Sequence, residues 1–259
     1  MIEATNERLP TPSPGEAQVF RFLDAAKELI YARCRVDGLF EAWQDHVRLW
    51  RLPVDGFGEV LMRQALGGAV LYLSSRPRDE TAAFTLNLTQ PASNVFFTGS
   101  SHDCVVTGRY FTEDVKVAEQ SRLFVDVRRG KTRHTSVIDV VGVDLLSVLE
   151  QYCQRSDQAG ARFFEISDDD YLMVASLPND EREGFVEMTR EQALEGLASS
   201  KPLDQRDFWF QCGCDPDRMV AAMQSMFEGR RDELFAGDES VVVSCPRCGR
   251  NWTIQREGF

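Results

Sequence analysis

Apolar residues along the chain recur first at helical and then at strand spacing. Phe40, Trp43, Val47 and Trp50 fall at helix-like intervals between Leu39 and Trp50, and Pro53 sets the end. Val60, Leu61, Ala65, Leu66, Ala69, Val70 and Leu73 form a broad stripe that predicts a helix over residues 56–73. Gly67-Gly68 sits inside it at about 1 kcal/mol per glycine, a cost that close packing against another element would explain. Between Phe20 and Arg35 the apolar positions are irregular, and a helix is expected at residues 22–33. Strand patterns follow at 82–89, 94–98 and 104–110. Residues 122–128 and 132–141 flank Arg129-Gly130-Lys131 as a hairpin. Asp144 is placed to cap a helix through Leu145, Leu146, Val148, Leu149, Tyr152 and Cys153. A second hairpin joins 162–166 to 171–175 through Asp168-Asp169-Asp170, expected to be a solvated turn. Thr189 and Gln192 give a capping-box pattern for a helix near 189–198, whose apolar face (Leu194, Leu197) is thin.

Composition narrows the class. Of 259 residues, 43% are hydrophobic, enough for a packed core and too many for wholesale disorder. Asp and Glu number 41 against 29 Lys and Arg, a net charge of −12 that argues against nucleic acid or an anionic membrane as partner. No apolar run reaches the length of a membrane span, and Met1–Arg8 has neither a basic n-region nor an apolar h-region, so a cytoplasmic protein is expected. Residues 1–19, with Pro10, Pro12, Pro14 and Gly15, read as a flexible tail. No Gly-rich phosphate loop is present, so no nucleotide chemistry is expected, and the chain is not read as an enzyme. The patch Arg128-Arg129-Lys131-Arg133 reads as a solvated hairpin tip.

Seven cysteines in a reducing compartment do not make a disulfide framework. Cys34, Cys104 and Cys153 stand singly and read as small core residues. His46, His102 and His134 share no ligand spacing and read as ordinary structural or surface residues. The other four cysteines form Cys212-Gly213-Cys214, then thirty residues, then Cys245-Pro246-Arg247-Cys248. Four thiolates match tetrahedral zinc, and residues i and i+2 of an extended segment point the same way, so Cys212 and Cys214 can face one metal. Cys245–Gly249 reads as a knuckle turn between Val241–Val243 and Trp252–Gln255. Asp215 as cap and Pro216 at the first position open a helix carrying Met219, Val220, Met223, Met226 and Phe227, the methionines as helix core. Trp209 and Phe210 are expected to pack under the site. A thioredoxin-like Cys-Pro-x-Cys would open a helix, whereas β-formers follow Gly249 here. A purely architectural zinc knuckle stays open on spacing alone, because so short a segment with few large apolar residues needs a staple.

The cysteine order and spacing resemble the bacterial redox-regulated heat-shock holdase family, the 33 kDa chaperonins. Leu149-Glu150-Gln151-Tyr152-Cys153-Gln154-Arg155-Ser156-Asp157-Gln158 is similar to that family's Leu-Glu-x-Tyr-x-x-x-Ser-Glu-Gln signature. Arg162-Phe163-Phe164, Leu177-Pro178 and the Gly130-Lys131 hairpin also fit, while Asp168-Asp169-Asp170 replaces a glycine pair. The resemblance implies an α+β fold: an N-terminal mixed helix and antiparallel-sheet core at 20–178, a helical linker at 179–207 and a small zinc-binding domain at 208–259. It further implies an ATP-independent chaperone of the stress response, with one Zn²⁺ held in the reduced state by Cys212, Cys214, Cys245 and Cys248. These four would form the redox switch, each near pair closing into a disulfide on oxidation. Implied partners are unfolded client proteins and, after oxidation, a second copy in a homodimer. The competing reading is a constitutive zinc-stapled binding or scaffold protein of the same fold without the switch.

Overall fold

The computed structural model describes residues 9–116, 118–156, 160–176 and 187–259. A hairpin of β1 (Glu16–Asp24) and β2 (Leu29–Arg35) leads into helices α1 (Asp37–Trp50) and α2 (Gly56–Ser74). Strands β3 (Glu80–Thr89), β4 (Ala92–Ser100) and β5 (Val105–Phe111) follow, then the hairpin β6 (Arg122–Arg129) and β7 (Thr132–Asp139). Helix α3 (Leu145–Arg155) precedes the hairpin β8 (Ala161–Ser167) and β9 (Asp170–Ser176). Helix α4 (Arg190–Ser199) and strand β10 (Lys201–Phe210) lead to the C-terminal segment of α5 (Pro216–Met226), α6 (Arg231–Phe235), β11 (Ser240–Ser244) and β12 (Asn251–Gln255). The fold is a mixed α/β one.

Strands β1 to β10 form one ten-stranded sheet in the order β7-β6-β3-β4-β5-β10-β1-β2-β9-β8. Every neighbouring pair is antiparallel except β5 and β10. The sheet is therefore two antiparallel halves of five strands, joined by a parallel contact of two residue pairs, Trp209 with Val105 and Phe210 with Val106. Along its other side β10 pairs with β1 from Glu16–Trp209 to Leu23–Lys201.

Helix α2 fills the hollow of this sheet. Fourteen of its 19 residues are buried, so it is a central helix rather than an amphipathic surface one. It packs against strands of both halves and against α3. A Cβ on Gly67 would lie 2.8 Å from the Tyr171 ring, and one on Gly68 would collide with Leu149, the close packing that offsets their low helix propensity. Caps work as the sequence predicts: Asp55 accepts from Gly58 N and Asp144 from Ser147 N. Helix α3 also satisfies the exit of β7 and the start of β8. Gln151 pairs with the N–H and carbonyl of Val141, Arg155 donates to the Asp139 carbonyl, and Glu150 accepts from Phe163 N.

The predicted helix at 22–33 is instead the β1–β2 hairpin. Strand β1 buries Ala17 and Val19 in the main core and Phe20 and Phe22 in a second cluster on the other face, where α4 contributes Ala193 and Leu197. Burial on both faces removes the alternation that marks a strand. The same packing corrects the tail. Glu16 already opens β1, Leu9 is buried, and Arg35 donates to the Leu9 carbonyl and the Thr11 hydroxyl. Residues 1–8 lie outside the described residues.

The expected linker at 179–207 contains α4, with both bonds of the Thr189–Gln192 capping box formed, but Lys201 onward is sheet. Residues 177–186, with Leu177-Pro178, and Asp157 and Gln158 of the signature lie outside the described residues. The Asp168–Asp170 turn is solvated only in part: Asp168 is exposed, as expected, but the turn's later residues are not. Asp170 is buried and accepts from Arg33 Nε at 2.9 Å and Nη2 at 2.7 Å, and Asp169 pairs with Arg63. The arginine patch is exposed, with Arg128 and Arg133 paired to Asp126 and Arg129 to Asp79.

Candidate metal centre

Strand β10 delivers the first cysteine pair. Its end is pinned on both sides: Phe210 N donates to the Gly15 carbonyl and Gln211 N to the Val106 carbonyl, each at 2.9 Å. Cys212-Gly213-Cys214 then leaves the sheet. Asp215 caps α5 by accepting from Arg218 N at 2.8 Å, with Pro216 at the first helical position. Strands β11 and β12 pair antiparallel and present Cys245–Gly249 as the turn between them. That turn closes through Gly249 N to the Cys245 carbonyl at 2.9 Å and Cys245 N to the Arg250 carbonyl at 2.8 Å. Gly249 has φ +77°, which L side chains rarely adopt, and an added Cβ would lie 2.7 Å from Leu52.

The fold brings all four cysteines together. Their sulfurs lie within 4.8 Å of one another, with Cys212 to Cys245 at 3.9 Å and Cys214 to Cys248 at 3.5 Å. A tetrahedral zinc with sulfur at about 2.3 Å requires sulfur–sulfur edges of about 3.8 Å, so the donor set fits such an ion. Arg247 N donates to Cys245 Sγ at 3.4 Å, the kind of bond that favours a thiolate. Hydrogen bonds within the quartet divide the protons unequally. Donation from Cys212, then from Cys248, holds Cys245 far below the usual thiol range, and the same contact with Cys245 drives Cys212 far above it. A cation among the four removes that conflict by stabilising every thiolate.

Cys245 and Cys248 are buried, whereas Cys212 and Cys214 are partly exposed. The exposed pair borders a groove of about 620 Å³ lined in part by Asp45, His46, Leu49, Arg218 and Arg250. Behind the buried pair stands the core. His46 Nε2–H donates to the Cys248 carbonyl at 2.8 Å, and the Arg109 guanidinium reaches to 3.5 Å from the Cys245 carbonyl. Burial pushes the His46 imidazole below its ordinary value, against the bond to the Cys248 carbonyl, which acts to raise it. A carbonyl can only accept, which fixes the His46 proton on Nε2. Arg250 lies over the Trp50 ring at 5.7 Å.

Several expectations meet this geometry differently. Phe210 does border the site, edge-on to His46 at 5.8 Å, but Trp209 is 45% exposed instead of packing beneath it. Met219 and Met223 join a small cluster built on Phe235, Val243 and Ile254, while Met226 is exposed. Cys34 and Cys153 are buried thiols whose pKa values burial raises, Cys153 to about 12, as suits packing residues. Cys104 is half-buried in the main core's margin. His102 pairs with Asp103 at the surface and His134 contacts Ser136. Sequence reasoning missed His46 and Arg109, because a donor to a backbone carbonyl far along the chain leaves no local spacing signal.

The family model described as Hsp33 protein matches residues 18–255. Curated proteins give no match. Among solved structures the chain is similar to the crystal structure of the 33 kDa chaperonin (heat shock protein 33 homolog) of Thermotoga maritima. That likeness has 15% identity and a TM-score of 0.71, covering 93% of this chain and 95% of that one. At this identity it speaks for the fold. No described helix is long and apolar enough to cross a membrane.

Proposed function

Because the chain belongs to the Hsp33 family, a chaperone family, we propose that it is a redox-regulated, ATP-independent holdase that binds unfolding proteins once its cysteine centre is oxidised. The observation that carries this reading is the sulfur quartet itself, set in a C-terminal segment with little else to hold it. Among the described residues that segment's own cluster buries only Phe235, Val243 and Ile254, with partly buried neighbours around them. Cys212, Cys214, Cys245 and Cys248 would hold one Zn²⁺, which when bound supplies charge neutralisation and a four-way crosslink worth roughly 10–16 kcal/mol in apparent free energy.

The chain's own chemistry then follows. A thiolate attacks a peroxide oxygen, the O–O bond breaks, and a sulfenic acid and hydroxide form. A neighbouring thiolate attacks the sulfenic sulfur; the S–S bond forms and a second hydroxide leaves. Each pair thus gives two electrons to one peroxide, and the near pairs Cys212–Cys214 and Cys245–Cys248 are the proposed disulfides. Once oxidised, these residues no longer serve as four thiolate ligands, and the C-terminal segment retains only its small apolar cluster. Its loosening would uncover core surface for clients. Apolar side chains already stand outward there: Phe124 and Val137 face each other across β6 and β7 and are 41% and 52% exposed. Unfolded clients are the proposed partners, with a homodimer in the oxidised state and neither nucleic acid nor membrane. A reducing compartment, the cytoplasm, is the proposed location. The net charge of −12 would keep such a surface soluble.

The test is zinc stoichiometry before and after peroxide or hypochlorous acid, read with a chromogenic chelator beside an aggregation assay on a heat-denatured client. The expected result is one zinc released and aggregation suppressed only after oxidant. Zinc retained under oxidant, with equal client protection in both states, would replace the switch with a constitutive zinc-stapled binder.

A further inference from the structure

We propose that His46 is a positioning residue for the cysteine centre, the latch that fixes the Cys245–Cys248 turn to helix α1 through a single N–H···O bond. The proposal concerns how the centre is held and rests on the reading of the four cysteines as its ligands. It does not require the redox switch.

Three observations converge on His46. Its Nε2–H meets the Cys248 carbonyl at 2.8 Å, the best-formed polar contact described between the turn and the core, where Arg109 reaches its carbonyl only at 3.5 Å. The ring is held from two sides, edge-on to Phe210 at 5.8 Å and tilted against Trp50 at 6.3 Å, so the donor is aimed before the turn arrives. Phe210 lies two residues before Cys212, and Trp50 lies under Arg250, two residues after Cys248. One imidazole therefore touches the approach to the first cysteine pair and hydrogen-bonds the second. The end of β10 holds the first pair to the sheet; His46 bonds the second pair to α1. Beyond the bond, Leu52, just past the end of α1, packs against Gly249 closely enough that an added Cβ would stand 2.7 Å from it, so the turn also rests on the residues that follow the helix.

His46→Phe keeps the ring contacts and deletes the donor, and His46→Gln replaces the ring with an amide whose N–H reaches to the same place. Two readouts are taken on reduced full-length protein without oxidant: the rate of zinc transfer to a chromogenic chelator, and amide hydrogen exchange over 247–250. Exchange in α2 serves as the folding control. The expected result is that His46→Phe raises both rates roughly fivefold, as loss of one net hydrogen bond would, while His46→Gln restores wild-type rates and α2 protection is unchanged. Wild-type rates in His46→Phe overturn the proposal. Equal acceleration in both variants also overturns it, because ring packing and not the donor would then be the cause. The exchange readout stands without any metal, and oxidant plays no part. A failure of the redox reading would appear only as absent peroxide-dependent zinc release in the wild type.

Discussion

The main sheet and the C-terminal segment solve the same problem by different means. Around α2 the chain buries Trp43, Tyr72, Phe84, Phe97, Leu66 and Tyr152 almost completely, and stability is spread over many apolar contacts. Beyond Phe210 the largest fully buried side chain is Phe235, and α5 has no buried residue among those described. On the proposed function, the fold there would depend mainly on four sulfur ligands beside a small apolar cluster. A distributed core loses stability by increments, whereas a region held by one centre can be switched as a unit. On the proposed function, this contrast would let one chain stay folded while part of it responds to an oxidant.

The largest effect should come from the centre. Cys245→Ser should abolish zinc binding, measured by metal analysis, and remove roughly 10–16 kcal/mol of apparent free energy from the C-terminal segment. Near-ultraviolet circular dichroism should then report loss of that segment with the main transition retained. In the core, Arg33→Met strips the buried Asp170 of its bidentate partner and should cost about 3–5 kcal/mol in chemical denaturation, with zinc stoichiometry still one. A change in zinc content there would break the separation of the two regions. Gly249→Ala asks for a left-handed alanine against Leu52 and should cost about 1–3 kcal/mol, read as faster metal loss to a chelator. The smallest effects sharpen the contrast most. Asp144→Ala and Asp215→Ala each delete an N-cap worth about 1 kcal/mol, one on α3 and one on α5. The first also removes the acceptor for Gln64 Nε2 and should lower the main midpoint slightly, and the second should visibly increase amide exchange in residues 217–226.

Legibility in the sequence followed the locality of the cause. Caps at Asp144, Thr189 and Asp215 and the Cys-x-Cys and Cys-x-x-Cys spacings are set by neighbours within a few positions, and the structure forms those caps and gathers those sulfurs. Strand β1 was hidden because both its faces are covered. Strand β10 was hidden for the opposite reason: Lys201–Asp207 is largely polar and exposed, and its place is set by backbone pairing with β1. The Asp168–Asp170 turn looked solvated because its partners Arg33 and Arg63 lie far away in sequence. His46 was invisible for the same reason.

The position of β10 also sets a timetable. As the chain is synthesised, β1 emerges among the first strands and β10 is the last strand of the main sheet, yet the two pair along nearly their whole length. Until β10 arrives the two halves of the sheet have no strand joining them, and β1 and β5 each present a raw edge to the crowded space around a ribosome. Closing the sheet from its middle is a long-range event of the kind that folds slowly. The strand that completes it runs directly into Cys212, so each newborn molecule seals its sheet and brings its first pair of sulfurs into place in the same act.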